Sequence, residues 1–170
     1  AGPNAHIIAG IRRFTDNKLY NSMVHLDKRG GLVSVYDKSH LVPFGEYFPF
    51  SEYLSGLGLR GLAANLQGFT PGAGPEVVST RGLPSYLPLI CYEAIFPAFI
   101  SAANSRPEFL LHITNDAWFG DTIGPFQHLV QVQFRAIEQG LPAARSANTG
   151  ISAAIDPYGR IIDRLKLNEK

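Results

Sequence analysis

The 170-residue sequence predicts an α/β fold, and three observations carry that expectation. Short β-branched or apolar runs of strand length recur along the chain, an amphipathic helical run lies between two of them, and Gly, Asp and Pro punctuate the joins. Strand and helix runs that alternate in this way bury their apolar faces as a sheet covered by helices.

Taken in order, residues 6–14 (HIIAGIRRF) are β-branched and apolar and read as a strand. Residues 21–27 and 32–38 are two short runs joined by Lys28, Arg29, Gly30 and Gly31, whose glycines supply the positive φ of a tight hairpin turn. Residues 41–74 are rich in Gly, Pro and aromatics without a sustained period, as expected of a long functional loop. Strand patterns return at 76–80 and 85–92, followed by a short helix over 97–105 with Pro97 in its first turn. Residues 109–114 (FLLHIT) form another apolar strand that ends in Asn115 and Asp116. The clearest helix runs over 125–139. Its apolar residues Phe126, Leu129, Val130, Phe134, Ile137 and Leu141 recur at helical spacing, and Gly140 marks its end. Two further strands are expected at 143–147 and 151–155, and a turn at 156–159 leads into 160–165.

A chain of this length fits one domain with a full core, and 45% hydrophobic with 17% charged residues is ordinary globular composition. A net charge of +1, with scattered Lys and Arg, gives no reason to expect a nucleic-acid partner. The single cysteine excludes an internal disulfide. Residues 83–103 approach membrane-spanning length, but Pro84, Pro88, Glu93 and Pro97 point instead to a buried strand, a turn and a short helix. The sequence opens at Ala1 with neither an initiator Met nor a leader pattern, so a processed chain or a fragment is expected.

Cys91 follows an apolar strand and precedes a Pro-marked helix, a place where α/β folds build sites and where free N–H groups can stabilise an oxyanion. Position alone fits a buried structural cysteine better, because free cysteines are among the most buried residues. Lys38, at the end of a hairpin strand, would favour a thiolate if it lay beside Cys91, although a single lysine is ordinarily solvated. Glu46 and Glu93 are candidate acid–base or orienting carboxylates, with a surface or ion-paired glutamate as the ordinary alternative. The run Gly56–Gly61 matches G-x-G-x-x-G, but no strand precedes it and no acidic residue follows at the right distance, so no dinucleotide site is expected. The five histidines lack metal-ligand spacing, so neither a metal nor another cofactor is expected.

Four motifs in order resemble the nitrilase (carbon–nitrogen hydrolase) superfamily, and within it the branch of bacterial apolipoprotein N-acyltransferases. They are residues 36–47 (YDKSHLVPFGEY), 90–93 (ICYE), 114–120 (TNDAWFG) with Gly124, Pro125, Gln127 and His128, and 135–138 (RAIE). Residues 148–151 (NTGI) and the Asp156-Pro157-x-Gly159 turn complete the order. The resemblance implies an α-β-β-α sandwich and a Glu-Lys-Cys triad. Cys91 would take an acyl group from a phospholipid as a thioester, Lys38 and the Tyr92 N–H would hold the oxyanion, and Glu46 and Glu93 would support the triad. The acceptor would be the N-terminal amine of a diacylglyceryl lipoprotein. The aromatic loop with Phe44, Tyr47, Phe48, Phe50 and Tyr53 suits acyl chains, or else packs on itself.

That family's triad glutamate lies on a strand upstream of the lysine, yet the acids ahead of Lys38 are only Asp16, Asp27 and Asp37. Residues 1–170 are therefore expected to be the catalytic domain truncated at both ends, lacking its first strand and inactive alone. The parent would sit in a bacterial inner membrane with this domain facing the periplasm, anchored by segments outside this chain. The alternative is a soluble amidase of the same superfamily, which passes the acyl group to water.

Overall fold

The computed structural model describes residues 5–47, 49, 68–120, 122–167 and 169. Strands β1 (Ile7–Thr15), β2 (Lys18–Leu26) and β3 (Leu32–Asp37) form a three-stranded antiparallel sheet. Strands β4 (Val78–Thr80), β5 (Leu83–Ile90), β6 (Phe109–Asn115), β7 (Ala143–Asn148), β8 (Ser152–Ile155) and β9 (Ile161–Leu165) follow one another in a six-stranded sheet. Within it β5, β6 and β7 are parallel and the flanking pairs antiparallel. Among the described residues, two 3-10 segments, Cys91–Ile95 and Asp116–Phe119, and two helices, α1 (Pro97–Ser101) and α2 (Gly124–Gln139), fill the connections.

The strand period of two sorts β5 between two cores. Leu87 and Leu89 join Leu110 and the α2 residues Leu129, Val132 and Ala136 on one face. Tyr86 and Ile90 pack with Met23 and Tyr36 of the three-stranded sheet on the other. Among the described residues the layers are thus helix, six-stranded sheet and three-stranded sheet, in the order of the expected α-β-β-α sandwich. The outward face of the small sheet leaves Ile7, Ile11 and Val35 exposed. Residues 83–103 are the expected strand, turn and short helix, and among the described residues no helix is long and apolar enough to cross a membrane.

Several boundaries differ from the sequence expectation. β2 begins at Lys18, because Asp16 and Asn17 both adopt left-handed φ (51° and 58°) and close a two-residue hairpin turn with β1. β5 stops at Ile90, since Cys91 itself takes φ 50° and leaves the extended path. α1 ends at Ser101. Gly140 ends α2 as expected, in the left-handed conformation that a residue without Cβ adopts freely. The face of α2 differs most. Leu129 and Leu141 are buried, but Phe126, Val130, Phe134 and Ile137 are exposed, and the helix turns His128, Val132, Arg135 and Ala136 inward instead. The glycine-rich run at 56–61 and the loop residues Phe48, Phe50 and Tyr53 lie outside the described residues.

Candidate active site

Because β5, β6 and β7 are parallel, their C-terminal ends share one edge of the sheet, and the Cys91, Asp116 and Asn148 segments gather there. Cys91 opens a 3-10 segment in a left-handed conformation, which costs a non-glycine residue roughly 1–3 kcal/mol and persists only when its surroundings hold it. Its side chain is partly buried against the core between the two sheets.

Lys38 follows β3 and is almost completely buried, with its ammonium 2.5 Å from Glu46 Oε2. Glu46 is fixed in turn by the Val42 N–H on Oε2 (2.8 Å) and the Asn21 amide on Oε1 (2.9 Å). Such a pair is costly to desolvate, and its worth lies in geometry: it fixes where the ammonium sits.

Glu93 joins the lysine loop to the cysteine turn. Its Oε1 accepts from the Tyr36 hydroxyl (2.8 Å) and from the N–H groups of Ser39 (2.8 Å) and His40 (3.1 Å). Its Oε2 accepts from the Ile90 N–H (2.8 Å). The residues flanking Lys38 are thereby pinned to the residue before Cys91. Burial pushes the Glu93 carboxyl above its ordinary range, opposed by these donors, and burial together with the neighbouring carboxylate pushes the Tyr36 phenol far upward. The Tyr92 ring meets Phe96 edge-on at 4.9 Å and lies 5.7 Å from His40. All five residues singled out in the sequence thus fall in one region, with Glu93 and Glu46 in contact with the segments that carry the other three.

A second, buried polar cluster lies on the α2 side of the same turn, and the sequence reading assigned it no role. Asp116 accepts from Arg145 Nη2 (2.5 Å), His128 Nδ1 (2.9 Å) and Thr114 Oγ1 (3.1 Å). Burial raises its carboxyl, but the His128 hydrogen bond and the Arg145 charge outweigh that and leave it below the ordinary value. Arg145 also donates to His112 Nδ1 (2.8 Å) and to the Ile151 carbonyl (3.0 Å). Burial, then the charges of Arg145 and His128, hold His112 far below the ordinary imidazole range. Arg135 of the RAIE motif donates to the Ile95 carbonyl (3.0 Å) and pairs with Glu138 (2.8 Å), so α2 grips the far end of the cysteine turn as well. A Cβ at Gly150 would overlap the Asp116 carboxylate, which gives the NTG motif its glycine. Asn115 caps the second 3-10 segment through the Ala117 N–H and accepts from Asn148, tying NDAWFG to the same place.

The family model for carbon–nitrogen hydrolases matches residues 3–170. The chain belongs to the carbon–nitrogen hydrolase family. Among curated proteins it is 50% identical over 151 residues to an apolipoprotein N-acyltransferase of Brucella melitensis, covering 89% of this chain and 28% of that protein. It is also 50% identical over 156 residues to one of Rhodopseudomonas palustris, covering 92% and 29%. The chain therefore spans under a third of the length of these relatives. Among solved structures, a carbon–nitrogen hydrolase from Helicobacter pylori superposes with a TM-score of 0.73 at 18% identity, over 98% of this chain and 60% of that one. An amidase from Nesterenkonia gives 0.71 at 21%, over 98% and 59%. These two likenesses establish the carbon–nitrogen hydrolase fold.

Proposed function

We propose that this chain is the cysteine-bearing part of an apolipoprotein N-acyltransferase catalytic domain, working by acyl transfer through a Cys91 thioester. The observation that carries the reading is the Glu46–Lys38 pair bound, through Glu93, to a strained cysteine turn. The half-identical relatives that bear that name favour the transferase over other chemistries of the family.

In the first step the Cys91 thiolate attacks the ester carbonyl of a phospholipid. The C–S bond forms while the carbonyl π pair moves to oxygen, and that oxyanion faces the Lys38 ammonium and the Tyr92 N–H. Collapse expels the lysophospholipid alkoxide, which takes up a proton. In the second step the N-terminal amine of a diacylglyceryl-cysteine lipoprotein attacks the thioester carbonyl, loses its proton to a base and releases the thiolate. Glu46 positions Lys38. Glu93, surrounded by donors and removed from solvent, serves as a fastening rather than a proton carrier. The general base is a glutamate that family resemblance places upstream of residue 1, so residues 1–170 alone have negligible turnover. The parent protein is anchored in the bacterial inner membrane by segments outside this chain, with this domain on the periplasmic side.

The test is transfer of an acyl chain from phospholipid to a diacylglyceryl lipopeptide by the full-length protein. Cys91→Ala abolishes it if the reading is right, and activity surviving that substitution would sink it. Release of free fatty acid or ammonia without acylated peptide would favour the amidase reading instead.

A further inference from the structure

The carbonyl oxygen of Cys91 accepts two hydrogen bonds from imidazoles, His112 Nε2 at 3.1 Å and His128 Nε2 at 3.2 Å. The donor assignments follow from the other ring nitrogens. His112 Nδ1 faces a guanidinium N–H, which can only donate, so His112 carries its proton on Nε2 and gives it to the carbonyl. His128 Nδ1 faces the Asp116 carboxylate and its Nε2 faces the carbonyl, an acceptor at each nitrogen. With Nε2–H given to the carbonyl, the Asp116 carboxylate at Nδ1 holds the His128 ring in place, and Arg145 fixes Asp116 from its other oxygen.

Across a planar trans peptide the C=O and the following N–H point in opposite directions. Both imidazoles belong to the α2 side of the six-stranded sheet, on α2 and on β6. Pinning the Cys91 oxygen there aims the Tyr92 N–H the other way, toward the inter-sheet side where the Cys91 side chain packs. That N–H also lies in the first turn of a 3-10 segment, where a donor has no acceptor within the turn. Hydrogen bonds accepted at a peptide oxygen polarise the peptide and strengthen its N–H as a donor.

We infer that His128 and His112 form a two-imidazole clamp that sets and polarises the Cys91–Tyr92 peptide as the oxyanion-stabilising group, with Asp116 and Arg145 fixing the rings. Both histidines are positioning residues, acting through the peptide without touching substrate. The inference rests on Cys91 being the acyl-accepting nucleophile, as proposed above.

The test separates a reaction that forms an oxyanion from one that does not. In the full-length protein, acylation of Cys91 is read as the p-nitrophenol burst from a p-nitrophenyl ester. Alkylation of the same thiol by iodoacetamide, a displacement at carbon with no oxyanion, is read as its plateau rate at high pH. For His128→Ala the burst rate is expected to fall at least about 10-fold, since deleting a whole oxyanion donor costs ~10²–10³. Plateau alkylation stays within about 3-fold, because thiolate access is unchanged. His128→Gln, which keeps an N–H for the carbonyl, recovers part of the burst and serves if the alanine variant does not fold. Equal loss in both reactions would reduce the clamp to a structural role, and loss in neither would dismiss it; either result overturns the inference. A wild-type burst without transfer from phospholipid would overturn the acyltransferase reading while the variants still decide the clamp. No burst even in the wild type would overturn the nucleophile assignment and the clamp with it.

Discussion

Glu93→Gln is the substitution that most directly separates a fastening carboxylate from an acid–base one. The wild-type carboxylate is fully buried and accepts from three backbone N–H groups and the Tyr36 hydroxyl, all at 2.8–3.1 Å. Glutamine can keep its oxygen toward Tyr36, Ser39 and His40, but its NH₂ then faces the Ile90 N–H. That leaves one buried donor without an acceptor, at about 1–3 kcal/mol, and removes the charge assistance from the other three bonds. Because a neutral amide is also cheaper to bury than a carboxylate, a net loss of about 2–4 kcal/mol follows, a large part of a typical domain's stability. Glu93→Ala leaves all four donors unpaired and costs at least about 4 kcal/mol on the same arithmetic. Urea denaturation measures these differences, and for a chain of this size each kcal/mol moves the Tm by roughly 2–4 °C. The fastening role is refuted if the glutamine variant unfolds within about 1 kcal/mol of wild type while the pH–rate profile of the full-length variant loses a limb. That pattern would belong to a proton-transferring group.

Other expectations follow from the same contacts. Glu46→Ala strips the partner from a buried ammonium and is expected to destabilise by about 3–5 kcal/mol, with Glu46→Gln milder, both measured by denaturation. Gly150→Ala forces a Cβ into the Asp116 carboxylate, so a loss of about 1–3 kcal/mol is expected, and a neutral result would show that the buried cluster yields. His112 has a folded-state pKa well below its unfolded value of 6.5, so the unfolded chain binds the extra proton first. Its contribution to stability is complete above that value and is lost as pH falls below it, at up to about 1.4 kcal/mol per pH unit. His112→Gln should flatten the slope between about pH 6.5 and 5 in denaturation measured against pH.

The strand ladder was legible because apolar, β-branched runs of strand length are broken by Gly, Asp and Pro. β5 reads as one continuous apolar run since it lies between two cores, with Leu87 and Leu89 on one face and Tyr86 and Ile90 on the other. The gathering of Cys91, Lys38, Glu46, Tyr92 and Glu93 into one candidate site was legible only through the order of their motifs. No single tetrapeptide says that Glu93 reaches back to Ser39 and His40, because that contact spans more than fifty residues. The inward face of α2 was not legible. Apolar spacing selected Phe126, Val130, Phe134 and Ile137, whereas the helix buries His128 and Arg135, whose acceptors are backbone carbonyls of the cysteine turn. Hydropathy ranks such residues as surface, and only the fold supplies the partners that make their burial tolerable. The Asp16–Asn17 turn did carry a signal, two residues that tolerate left-handed φ next to a strand.

The most direct test of the account is to trap the covalent intermediate. The full-length protein is incubated with phospholipid in the absence of an amine acceptor, digested, and its peptides weighed by mass spectrometry. The account predicts one fatty acyl group on the peptide that contains Cys91, removed by hydroxylamine and absent from Cys91→Ala. Acyl transfer that proceeds with an unmodified Cys91 peptide, or an adduct on a different residue, would contradict it.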